Sequence, residues 1–247
     1  MMKTFKTSIL SLVFASALVA ADGASAASVR ITFDNPLFNG SSEVVTLNND
    51  GTKTANVYAG LLTGDASELK GVDKSIFVDS VKDVRMYCYD ILESIRPGQS
   101  VTYNVSFDQV VARTLDFLGG VNAVLGGDTF AWLHPTSVLQ GAAIQIGIWE
   151  SLYENAKGDF DIGKGTFSVS GLEKDTRDWL NKFFAASGSA PSLDSRYVMV
   201  LSAKGAQDMI AGDPPANVPE PGSLALLALG LAGLPFVRRR SGKRALV

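Results

Sequence analysis

Cys88 is the one cysteine of a 247-residue chain, and Gln145 follows it 57 positions later. A lone cysteine cannot close an internal disulfide, so it is an inert core residue, pairs with another molecule, or is used chemically. Around it, alternation places Val84, Met86 and Cys88 on one face of a strand and Arg85, Tyr87 and Tyr89 on the other. Gln145 falls where a helix calls for an apolar side chain, in a stripe with Val138, Ala142, Trp149 and Leu152. A thiol and a carboxamide held together can condense, releasing ammonia and leaving a thioester. Effective molarity alone can make up roughly 7–11 kcal/mol of such a barrier. The small residues Gly141 and Ala142 are expected to let the strand approach. Tyr87, Tyr89 and Trp149 are expected to keep water from the bond.

Other readings of the same residues stay open. A cysteine on an inward strand face is commonly core, and a helical glutamine is commonly a boundary residue bonded locally. Gln140 is a second candidate acyl donor on a different helix face. His134, the single histidine, precedes Pro135 in a turn. It could activate Cys88 with Asp90 as orienter, the arrangement of a Cys/His hydrolase or transglutaminase. One cysteine and one histidine exclude a metal site of the Cys/His type, and no cofactor is expected.

The segments Tyr87-Cys88-Tyr89-Asp90 and Gln145-Ile146-Gly147-Ile148-Trp149 resemble the paired motifs of thioester domains of bacterial surface adhesins. The resemblance covers about residues 80 to 155 and implies Cys88 as thiol, Gln145 as acyl donor and Trp149 as the motif tryptophan. It further implies a protein that captures an amine or hydroxyl once, with no catalytic turnover. The chain departs from that pattern at Gly147, where alanine is usual, and at Ile144, where threonine is common.

Both ends read as processing segments. Lys3 and Lys6, an apolar run from Ile9 to Ala20 and the small residues Ala24 to Ala27 predict a signal peptide over 1–26. Pro219, Glu220 and Pro221 lead into the aliphatic segment 224–237 and then Arg238, Arg239 and Arg240, within a basic end spanning 238–244. This tail resembles the PEP-CTERM sorting signal of Gram-negative bacteria, which implies recognition by an exosortase and delivery to the cell surface or extracellular matrix. Membrane contact is then expected only through the transient C-terminal segment. The whole chain carries a formal charge of -3, and removing both ends takes away seven basic groups and Asp22. The acidic body that remains argues against nucleic acid as a partner.

The body, 27–210, is expected to be an α+β domain, β-rich with a helical middle and thioester-domain-like. Predicted strands cover 29–33, 44–47, 54–58, 82–90 and 101–105, the last two as a hairpin, with a final strand over 197–201. Predicted helices cover 107–118, ended by Gly119-Gly120, then 137–154 and 175–184. Residues 211–247 read as linker and sorting tail.

Overall fold

The computed structural model describes residues 27–38, 42–154 and 160–214; the predicted signal peptide and sorting tail lie outside these. Strand β1, Ser28–Phe38, alternates buried and partly exposed residues over its first half, so Val29, Ile31 and Phe33 face inward. It pairs with β4, Leu62–Lys70, on one side and β6, Ser100–Ser106, on the other. Strand β5, Val84–Cys88, joins β4 to β9, Ala206–Gly212, and β8, Val198–Ala203, closes the ring between β9 and β6. All six pairings are antiparallel. Closure leaves the barrel no open edge. The pairing register carries the inward face of β1 around to Met86 and Cys88 on β5 and to Met209 and Ala211 on β9.

A second, three-stranded sheet has the order β3-β2-β7, from Glu43–Asn49 (β2), Thr52–Ala59 (β3) and Phe167–Ser170 (β7). Between sheet and barrel runs α2, Val138–Tyr153, with α1, Ala112–Val124, and α3, Lys174–Ser187, packed beside it. Ser137 caps α2 by accepting from Gln140 N–H. Every residue of α2 from Gln140 to Ser151 is buried. A helix enclosed on all sides shows no polar face, so the expected stripe gives way to a fully buried rod.

The chain is thus mixed helix and strand and strand-rich, as expected, but β4 and β7 are not among the expected strands, α1 starts five residues later than expected, and further details differ. β5 and β6 are not a hairpin: β5 lies between β4 and β9, and β6 between β1 and β8. Residues 211 and 212 belong to β9 and not to the linker. Gly119 and Gly120 sit inside α1, not at its end. A Cβ on Gly119 would lie 2.2 Å from Pro191 O, and one on Gly120 would lie 2.4 Å from Ser187 Oγ. Both glycines serve close passage of the chain at and beyond the end of α3 and not a helix stop.

The buried face of α2 also carries Glu150, whose side chain is fully enclosed. Burial pushes its carboxyl up to about 7, while the Asp161 N–H and Arg113, 3.5 Å away, pull it back down. Because the folded carboxyl holds its proton more tightly than the unfolded one (ordinary value 4.5), stability should fall as pH rises from about 4.5 to about 7. At about 1.4 kcal/mol per pH unit the loss reaches about 3 kcal/mol. Urea denaturation at pH 5 and pH 8 should show this slope reduced in Glu150→Gln, which keeps an acceptor for Asp161.

Candidate functional site

The β4 ladder on β5 ends at the pair Leu62–Met86, and beyond it β4 offers Cys88 no partner. On the other side Cys88 stands opposite Met209, and Tyr89 N–H donates to Asp208 O. The peptide groups of Cys88 therefore point away from β9, into α2. There Cys88 N–H donates to Gln145 Oε1 at 2.8 Å, and Gln145 Nε2 donates to Cys88 O at 2.8 Å. The carboxamide of one helical residue thus continues the sheet where the strand has turned away. Gln145 is completely buried, and this pairing meets the demand that a buried amide makes.

Two hydrogen bonds to one residue fix the carboxamide carbon alongside Cys88, whose Sγ is two covalent bonds from the same Cα. Cys88 is 4% exposed and lines a cleft of about 260 Å³, with Leu62 and Trp149 beside it. Burial, reinforced by the Asp90 carboxylate, holds the thiol well above its ordinary range. A thiol so placed stays protonated at neutral pH.

The other predicted residues divide. Trp149, 1% exposed, borders the same cleft. Asp90 organises the turn after β5: its Oδ1 accepts from Leu92 and Glu93 N–H, and its Oδ2 from Asp208 N–H. Tyr87 does not cover the thiol. It points to the opposite strand face, stacks on Trp132 and donates its hydroxyl to Trp132 O. Tyr89 shares that face and accepts from Val111 N–H at the start of α1. His134 binds Phe130 O through Nδ1 and Asp79 through Nε2, so Asp79, not Asp90, is its carboxylate. Gln140 is occupied in the helix cap, accepting from Thr136 N–H and Oγ1.

Gly141 is not what lets the strand approach, since a Cβ there would meet only Leu61 and Pro135 at ordinary contact distances. Gly147 is different. A Cβ on it would lie 1.9 Å from Phe117 Cζ, so the ring of α1 takes the space an alanine would need. This accounts for glycine at position 147. Sequence reasoning missed Gln207, which borders the cleft and donates Nε2 to Asp90 O. It also missed the cleft wall from β3, because nothing in a short polar strand signals which element it faces.

Fold and site together define a strand-rich α+β domain with a closed barrel, in which Cys88 lines a cleft and the buried Gln145 is hydrogen-bonded to it from behind. A family model for the PEP-CTERM protein-sorting motif matches residues 217–241, taking in Pro219, Glu220, Pro221 and Arg238 to Arg240. The chain therefore carries the signal of an exported protein that an exosortase sorts to the cell surface of Gram-negative bacteria. No curated protein and no solved structure matches it. Among the described residues no helix is long and apolar enough to cross a membrane.

Proposed function

We propose that Cys88 and Gln145 condense to an internal thioester, and that the sorted protein uses it once to bind an amine- or hydroxyl-bearing target covalently. The observation that carries the reading is the docking of the buried Gln145 carboxamide on Cys88, a residue that itself lines a cleft. Sγ attacks the carboxamide carbon, and charge develops on Oε1, where Cys88 N–H already donates. The C–N bond then breaks, the thiol proton leaves with the nitrogen, and ammonia departs. A neutral thioester suits this apolar surrounding better than a thiolate, whose charge burial disfavours. Single use follows because the acyl group, once transferred, leaves Gln145 as a substituted amide or an ester.

The same two hydrogen bonds favour a second reading, in which Gln145 is a structural staple and Cys88 is core. Methylamine treatment followed by peptide mapping separates them. Thioester chemistry predicts methylamide at Gln145 together with a newly alkylatable Cys88. An unmodified Gln145 leaves the staple. The enzyme reading draws no support from His134, whose ring nitrogens are both engaged by Phe130 and Asp79.

A further inference from the structure

Five consecutive residues of β3, Thr54 to Tyr58, wall the cleft above Cys88. Side chains of a strand alternate between faces, so a wall built from consecutive residues is the strand's edge, with its peptide groups. β3 has one ladder, to β2, and lies at the margin of its sheet. Its other edge is unpaired among the described residues. Such an edge is a template for an added strand.

From this edge we infer that the target of capture is a polypeptide, docked as a short extended strand on β3, and not a sugar. Its covalent step rests on the thioester reading, its docking step on β3 alone. The cleft suits one kind of side chain from that strand. Leu37, Ile91 and Ile95 give apolar walls, and Glu93 is the single charged lining residue. A lysine has the matching form: an aliphatic stem for those walls and an ammonium for the carboxylate. Its deprotonated nitrogen attacks the Gln145 acyl carbon, the C–S bond breaks, and one amine proton passes to Sγ. The edge also limits what can add to it. Asn56 has φ +57°, and the β2–β3 register shifts between Val45 and Leu47. A bulge bends the edge, so it accepts a short segment more readily than the long strand of a second copy.

The test compares three probes at equal amine concentration by intact mass: butylamine, a short threonine–valine peptide with one central lysine, and that peptide N-methylated at alternate residues. The proposal expects the plain peptide to couple at least about tenfold faster than butylamine, through raised effective concentration. The N-methylated peptide should fall to the butylamine rate. Equal rates for peptide and butylamine would overturn strand docking and leave capture standing. Absence of any adduct would remove capture, and docking is then judged without it in Cys88→Ala. There the plain peptide should slow hydrogen exchange of the Lys53–Tyr58 amides, and unchanged exchange would overturn it. Faster coupling of a soluble oligosaccharide, or a concentration-dependent dimer protecting the same amides, would likewise overturn it.

Discussion

Gln145→Ala should lower stability by about 3–5 kcal/mol and abolish covalent capture. Relative to the uncondensed protein, in which the amide nitrogen is still in place, the substitution removes both partners of the Cys88 peptide groups, which stay enclosed between β5 and α2. Leaving a buried donor or acceptor unsatisfied costs about 1–3 kcal/mol each, and the truncated side chain leaves a void besides. For a body of this size a kcal/mol moves the melting temperature by about 2–4 °C, so calorimetry should record a fall on the order of 10 °C. Gln145→Glu sharpens the point. The new carboxylate can accept from Cys88 N–H but faces Cys88 O without a proton to offer. Its stability should recover as pH falls and the carboxyl gains that proton, whereas the alanine variant should show no such recovery.

The second large effect is at Gly147. Glycine inside a helix ordinarily costs about 1 kcal/mol relative to alanine, so propensity alone predicts that Gly147→Ala stabilises. Packing predicts the reverse, because the added methyl would overlap the Phe117 ring. That ring cannot retreat freely, being packed against Phe160, Phe183 and Phe184. Overpacking costs about 1–3 kcal/mol, and the net result should be destabilisation. Phe117→Leu should reverse part of the loss in the double variant, and a thermodynamic cycle measures that coupling. Gly147 is two residues from Gln145, so a displaced α2 should also slow capture while leaving every reacting atom in place.

Which parts of this were legible in the sequence follows from where the signals were local. The helix expected from Ser137 is α2, because cap chemistry acts within a few residues. The neighbourhood of Cys88 and Gln145 was legible through motif resemblance. What the motif did not reveal is the manner of contact, since the carboxamide binds the main chain of Cys88 in place of a missing strand. Non-local facts were lost. Ala206–Gly212 has few β-branched residues, so no strand was expected there and its last two residues read as linker, yet barrel closure makes it a strand. Gly119-Gly120 carried a helix-stop signal, and only the passage of Ser187 and Pro191 beside it explains glycine there. Tyr87 was read as a shield because alternation assigns faces without saying what covers each one.

The most direct measurement is the intact mass of the purified, exported body beside that of its Cys88→Ala variant. A bond between sulfur and acyl carbon predicts a wild-type mass short by one ammonia relative to its sequence, with no shortfall in the variant. Full sequence mass in both proteins, with Cys88 still a free thiol after unfolding, would mean that the carboxamide only staples strand to helix.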